Sequence, residues 1–173
     1  MIVQTQRLIL RPFEPGDVAA YTAIKAKPEV LRFLPGGEAG AAHAAKAAQL
    51  QVSQFIGLWQ EEPRYGPWAV VETASGGLIG HAGLRLLPKL GGVTEILYML
   101  DSAVWGRGYA TEAAGAARDY GFAALGLDRL AAFAFPENAA SLRVMEKIGM
   151  RREPGLTEAI GLSFVKYTIE RPI

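Results

Sequence analysis

The chain has 173 residues, half of them hydrophobic and 20% charged, and a formal net charge of +1, which describes one soluble domain over 1–173 with room for a sizeable core. That balance gives no ground for a nucleic-acid or membrane-surface partner; no run approaches the roughly 20 apolar residues of a membrane span, and the N-terminus lacks a signal-peptide layout, so a cytoplasmic location is expected. Without cysteine there is no disulfide, thiolate metal site or cysteine nucleophile, and His43 and His81 alone do not build a histidine metal cluster.

Alternation of polar and apolar residues predicts a first strand over 5–11, limited by Pro12. Asp17 suits the N-cap of a short helix reaching about Lys25, with Pro28 beyond it. Ala41, Ala44, Ala48, Val52, Phe55 and Trp59 recur at helical spacing, so 38–59 reads as an amphipathic helix. Strands are expected over 68–72 and 78–84, joined by the turn-rich 74–77, and over 94–100. After a glycine-rich turn, Ala113, Ala117, Tyr120 and Ala124 line one face of a helix ending near Gly126. A strand over 129–135 leads to a helix over 139–148, with Asn138 as N-cap and Gly149 at the left-handed C′ position. A last strand covers 164–169, and another is expected near 151–153. The strands within 68–100 should be antiparallel, and the strand–turn–helix–strand unit over 97–135 parallel, giving a mixed sheet.

The turn at 105–113 carries the chemistry. Glycines at 106 and 108 let backbone approach a ligand, and the free N–H groups of the following helix suit a phosphate. A Walker loop would need a lysine followed by Ser or Thr, but the spacing 121–126 is followed by Leu127. A dinucleotide fingerprint would need GxGxxG after the first strand of a parallel unit, and this turn is compressed and late in an antiparallel meander.

At these residues the chain resembles the GNAT superfamily of acetyl-CoA-dependent N-acetyltransferases, whose cofactor motif reads Q/R-x-x-G-x-G/A. Gly108 and Ala110 fill its fourth and sixth positions, and Trp105 departs from its first. The run WGRGYATEA is similar to the version of the RimJ/RimL-like branch. So are the segments 5–12 (TQRLILRP), 79–84 (IGHAGL), 95–98 (EILY) and 138–150 (NAASLRVMEKIGM), in family order. The resemblance implies an α/β (α+β) fold with a mixed, mostly antiparallel sheet, a splayed parallel strand pair and flanking helices, and acetyl-CoA held in the splay. It implies a pyrophosphate seat at the amides of Arg107, Gly108, Tyr109, Ala110 and Thr111, backbone contacts from Met99 and Leu100, and Asn138 near the pantetheine arm. Asn138 reads equally as a helix cap, and the two roles are compatible.

Ser141 is the implied group to protonate the departing thiolate, its plain reading being a second capping hydroxyl. Many superfamily members carry a tyrosine seven residues after the asparagine; here that position is Met145, which cannot donate a proton. Attack needs a neutral amine, at a cost of about 1.4 kcal/mol at pH 7 for an α-amine and about 4.6 kcal/mol for a lysine. Glu95 is the expected base, acting through a water, against a plain reading as a strand carboxylate paired with Arg or Lys. His81 and Glu112 are lesser alternatives. Phe33, Leu34, Phe55, Trp59 and Trp68 are acceptor-site candidates or core, with 35–37, 60–67 and 154–162 as rims.

The reading is an acetyl-CoA-dependent N-acetyltransferase without a metal, moving acetyl directly to a primary amine of a protein N-terminus or a small molecule. The alternative is a noncatalytic acyl-CoA sensor on the same fold. The acceptor and the oligomeric state, a homodimer included, stay open.

Overall fold

The computed structural model describes residues 1–62 and 65–172. The chain opens with an antiparallel hairpin of β1 (Val3–Gln4) and β2 (Leu8–Arg11). The expected single strand over 5–11 is therefore broken, because 5–7 form a tight turn closed by the Thr5 N–H on the Leu8 carbonyl at 2.9 Å. Helix α1 (Val18–Lys25) follows a 3-10 turn at Pro15–Asp17. Asp17 does not cap it; its carboxylate accepts from the Glu14 N–H at 2.8 Å and pairs with Arg11 at 2.7 Å. Pro28, expected only as a stop, opens the short helix α2 (Pro28–Leu31), where its missing N–H has no cost. The helix expected over 38–59 is split into a 3-10 stretch at Glu38–His43 and α3 (Ala44–Glu61).

Strands β3 (Pro67–Glu72), β4 (Leu78–Leu87) and β5 (Val93–Leu100) form the expected antiparallel meander. Helix α4 (Tyr109–Ala123) crosses back to β6 (Arg129–Ala134), which lies parallel to β5. Helix α5 (Ala139–Lys147) ends at Gly149, whose φ of +86° and the Met150 N–H on the Met145 carbonyl complete the predicted C-terminal motif. Strands β7 (Arg151–Arg152), β8 (Thr157–Ala159) and β9 (Leu162–Glu170) finish the chain. Strand β8 was not expected; it pairs with β9 within the segment 154–162 that the sequence offers only as a rim. The strand order is β1-β2-β3-β4-β5-β6-β9-β7.

The sheet divides two apolar clusters. Leu8, Leu10, Trp68, Val70, Leu84 and Ile96 pack under α4 and α5, where Ala113, Ala114 and Ala117 are wholly buried and let α4 sit close to the strands. Phe13, Tyr21, Val52, Phe55, Ala69 and Met99 form the other cluster, under α1 and α3. Strand alternation thus gives β5 two functional faces, with Ile96, Tyr98 and Leu100 toward α4 and α5 and Glu95 and Met99 toward α1 and α3. No described helix is long and apolar enough to cross a membrane.

Candidate active site

Strands β5 and β6 pair only at Glu95 and Ala131, and beyond that point they diverge. The gap opens into a cavity of about 400 Å³. Its walls are Tyr98, Met99 and Leu100 of β5, the turn before α4, the first turn of α4, Asn138 and Ser141 at the start of α5, and the α2 segment with Phe33 and Leu34. A wider, open depression of about 580 Å³ lies at the other end of β6, lined by Asp128, Glu170, Arg171 and Pro172. It holds no comparable convergence, since Arg171 and Asp128 are already paired at 2.6 Å.

The mouth of the cavity is the N-terminus of α4. Gly108 precedes the helix at a φ of +81°, a conformation that favours glycine, and no side chain caps the helix there. The first ladder bond runs from the Glu112 N–H to the Gly108 carbonyl, so the amides of Tyr109, Ala110 and Thr111 have no partner within the helix. These donors and the helix dipole make a seat for an anion.

The turn is held from outside by Arg7. Its Nη1 donates to the Arg107 carbonyl at 2.9 Å, its Nε donates to Glu112 Oε2 at 2.7 Å, and its guanidinium lies 4.4 Å from the centre of the Tyr109 ring. Glu112 also accepts from the Thr5 hydroxyl at 2.6 Å and the Arg7 N–H at 2.8 Å. Burial works to raise the Glu112 carboxyl, but these hydrogen bonds and the Arg7 charge hold it below the usual range. Glu112 is thus a tie between β1–β2 and α4, and Arg7 is a residue that the sequence reading missed. Arg107 itself is exposed and does not line the cavity. Positive charge on the lining comes from Arg143 and Lys147, one turn apart on α5, and from Arg32 after α2.

At the inner end, Asn138 caps α5, its Oδ1 accepting from the Ser141 N–H at 3.2 Å. The Ser141 hydroxyl does not cap; it lies 2.9 Å from the hydroxyl of Tyr98. Met145 is 1% exposed and belongs to the core. The Met99 side chain also packs in the core, and the Leu100 carbonyl accepts from the Trp105 indole at 2.9 Å. Trp105 thereby secures the end of β5 to the glycine turn before α4 while 52% exposed. On the outer side, Lys27 pairs with Asp101 at 2.5 Å and Ser102 donates to Glu29 at 2.7 Å, which fastens α2 across the cavity.

Glu95 lies outside the cavity lining, buried on the α1–α3 face, with Arg85 Nη2 2.6 Å and Nε 3.0 Å from Oε2. Burial pushes its carboxyl above the usual range, and the Arg85 charge only partly opposes this. His81 is buried on the same face, its Nδ1 2.9 Å from the Tyr21 hydroxyl. Burial, reinforced by Lys25 and Arg85, depresses it to about 3, so its imidazole is neutral and sealed among Tyr21 and Phe55. Of the five acceptor-site candidates, Phe33 and Leu34 reach the cavity; Phe55, Trp59 and Trp68 are buried in the two clusters. The rims 35–37 and 154–162 are not part of the lining, and Pro63 and Arg64 of the expected rim 60–67 lie outside the described residues. Among the described residues no group of three or more His, Asp or Glu side chains is placed to hold a metal ion.

Comparisons with known proteins identify the family and the fold. The model of the acetyltransferase (GNAT) domain family matches residues 7–151. The uncharacterized N-acetyltransferase YoaA of Bacillus subtilis (strain 168) is 33% identical over 154 residues, which are 88% of this chain and 84% of the relative. A GNAT-family acetyltransferase from Bacillus anthracis is 28% identical and superposes with a TM-score of 0.80, covering 98% of both chains. RimJ of Mycobacterium smegmatis, solved in complex with CoA-disulfide, is 25% identical with a TM-score of 0.75, over 94% of this chain and 81% of that one.

Proposed function

Because the chain belongs to the GNAT family of N-acetyltransferases, we propose that it moves an acetyl group from acetyl-CoA directly to a primary amine, with the β5–β6 cavity as the cofactor site. The observation that carries this reading is the uncapped N-terminus of α4 at the mouth of a splayed parallel strand pair. The residues fit the cofactor. Amides from Gly108 to Thr111 suit a pyrophosphate, Arg143 and Lys147 add charge, and Val30, Phe33, Leu34 and Val104 offer an apolar wall to the pantetheine arm. When bound, acetyl-CoA supplies an acyl group activated by a thiol leaving group of pKa near 8.5.

The remaining chemistry belongs to the chain. The backbone of Met99 and Leu100 borders the gap, and Asn138 fixes the start of α5 beside it. Ser141 offers its hydroxyl to the departing sulfur. Glu95 takes the proton of the amine through a water from the opposite face of β5, and its raised pKa makes it a stronger base than an ordinary glutamate. The acceptor is a protein N-terminus or a small-molecule amine, as in the RimJ/RimL-like branch.

The test is to incubate the protein with acetyl-CoA and a panel of peptides and small amines, following free thiol and product mass together. Thiol release matched by an acetylated amine is expected. Tight CoA binding with no thiol release on any acceptor would point instead to a noncatalytic sensor, and absence of CoA binding would sink both readings.

A further inference from the structure

Ser141 carries a hydroxyl that the helix does not need. Its N–H is taken by Asn138, which does the capping, and its Oγ lies 2.9 Å from the Tyr98 hydroxyl. The same phenol lies 3.0 Å from the Ser141 carbonyl oxygen. Tyr98 is on β5 and Ser141 is on α5, so the pair bridges the divergence between β5 and β6, and both residues line the cavity.

A carbonyl only accepts, and the phenol has one hydrogen, so two arrangements exist. When Tyr98 donates to the carbonyl, Ser141 donates to Tyr98 and has no hydrogen left for anything in the cavity. When Tyr98 donates to Oγ, the serine hydrogen is released toward the cavity. Any negative charge arriving there favours the second arrangement, because a charge-assisted hydrogen bond is stronger than a neutral one.

We propose that Tyr98 is the positioning residue that turns the Ser141 hydroxyl onto the cofactor sulfur, so that the charge sulfur acquires as its bond to the acetyl carbon breaks is met by a fixed donor. This rests on the reading of the cavity as an acetyl-CoA site. Burial, with Glu95 adding to it, pushes the Tyr98 phenol up to about 12, so its proton stays in place through the neutral range. For the same reason the pair gives up no net proton: a thiolate whose acid has a pKa near 8.5 does not deprotonate such a phenol. The proton lost by the amine goes to Glu95, and the sulfur leaves as a hydrogen-bonded thiolate. The sequence contains the signal, since alternation from Ile96 and Leu100 sets Tyr98 on the face of α4 and α5.

The experiment titrates the thiol of CoA bound to the wild type, Tyr98→Phe, Ser141→Ala and the double variant, by ultraviolet absorbance of the thiolate. Tyr98→Phe and Ser141→Ala should each raise the bound thiol pKa by about one unit, and the double variant should raise it no further. CoA affinity and the amine KM should change little, while kcat falls about tenfold. A thiol pKa unmoved in Tyr98→Phe, or two shifts that add in full, overturns the proposal and leaves acetyl transfer standing. Equal, non-additive shifts in a protein that acetylates no amine uphold the serine–tyrosine pair while removing the proposed activity. A protein that binds no CoA overturns both.

Discussion

His81 is a histidine excluded from acid–base work by its surroundings. It is wedged between Tyr21 and Phe55, and its nearest polar partner is the Tyr21 hydroxyl at 2.9 Å. Burial holds its pKa near 3 against an ordinary 6.5, which has a consequence for stability. The folded-state value is depressed for a base, so the contribution is fully present above about 6.5 and is lost as pH falls toward 3. At pH 5 the unfolded chain takes up a proton that the folded chain refuses, a loss of about 2 kcal/mol relative to pH 7. His81→Gln should reduce the difference between urea unfolding at pH 7 and pH 5 by about that amount; an unchanged difference would mean that solvent reaches the imidazole. Arg7 acts in the opposite sense, as a half-exposed side chain with a specific task. Its bonds to the Arg107 carbonyl and to Glu112 fix the turn whose amides face the cavity. Arg7→Ala should weaken CoA binding about tenfold by calorimetry, a larger effect than a half-exposed ion pair has on stability. A normal CoA affinity in the folded variant would reduce Arg7 to a tether between strand and helix.

The hairpin of β8 and β9 shows the cost of an element whose turn chemistry is unfavourable. Ile160 sits at its tip with a φ of +51°, 77% exposed, followed by Gly161 at +73°. Two successive left-handed residues make the kind of two-residue connection that asparagine and glycine fill best, and a β-branched side chain there costs roughly 1–2 kcal/mol. Ile160→Asn should therefore stabilise the protein by about 1 kcal/mol, seen as a raised midpoint in chemical denaturation; no gain would mean that the isoleucine side chain returns its strain in contacts. The same tip explains why β8 was illegible in the sequence, since Ile160-Gly161 puts isoleucine where the Asn-Gly or Asp-Gly signature of a hairpin has Asn or Asp. The break between β1 and β2 was hidden for a different reason. Thr5, Gln6 and Arg7 carry no glycine or proline, and their turn is tied by bonds to Glu112, 105 residues away from Arg7 in the chain. Helix α2 was hidden because a proline after a helix reads as a stop when it equally serves as a first helical residue. By contrast α4 and α5 were legible, because the glycine turn, the Asn138 cap and the Gly149 terminus are local signals that tertiary contacts reinforce.

At the scale of the molecule, the sheet keeps two parts of the proposed reaction apart. Glu95 faces α1 and α3, at the point where β5 still pairs with β6, whereas Tyr98, Ser141 and the α4 turn lie on the other side. The sequence marked both Glu95 and Ser141 but not their separation, which follows only once β5 is known to have helices on both faces. The plain reading of Glu95 as a carboxylate paired with Arg or Lys named the kind of partner, but that the partner is Arg85 follows only from the β4–β5 register. That pairing raises the question whether Glu95 is there for chemistry or for the fold, and the sign of its pKa shift separates the two. The carboxyl is raised, so whatever stability it contributes is present below the unfolded value of 4.5 and is lost as pH rises through the folded value. Once ionised, Glu95 is thus a burden on the fold that the Arg85 charge only partly relieves. Glu95→Gln keeps the shape and removes that burden, leaving Arg85, whose side chain is 48% exposed, to water. The variant should be as stable as the wild type or more so at pH 8 by thermal unfolding, and its CoA affinity should be unchanged because the cofactor site lies across the sheet. Its kcat/KM should nevertheless fall about a hundredfold, with the rise of wild-type activity through the Glu95 pKa flattened. A variant that loses stability while keeping its activity would instead make the Arg85–Glu95 pair a strand fastener and return the proton of the amine to solvent.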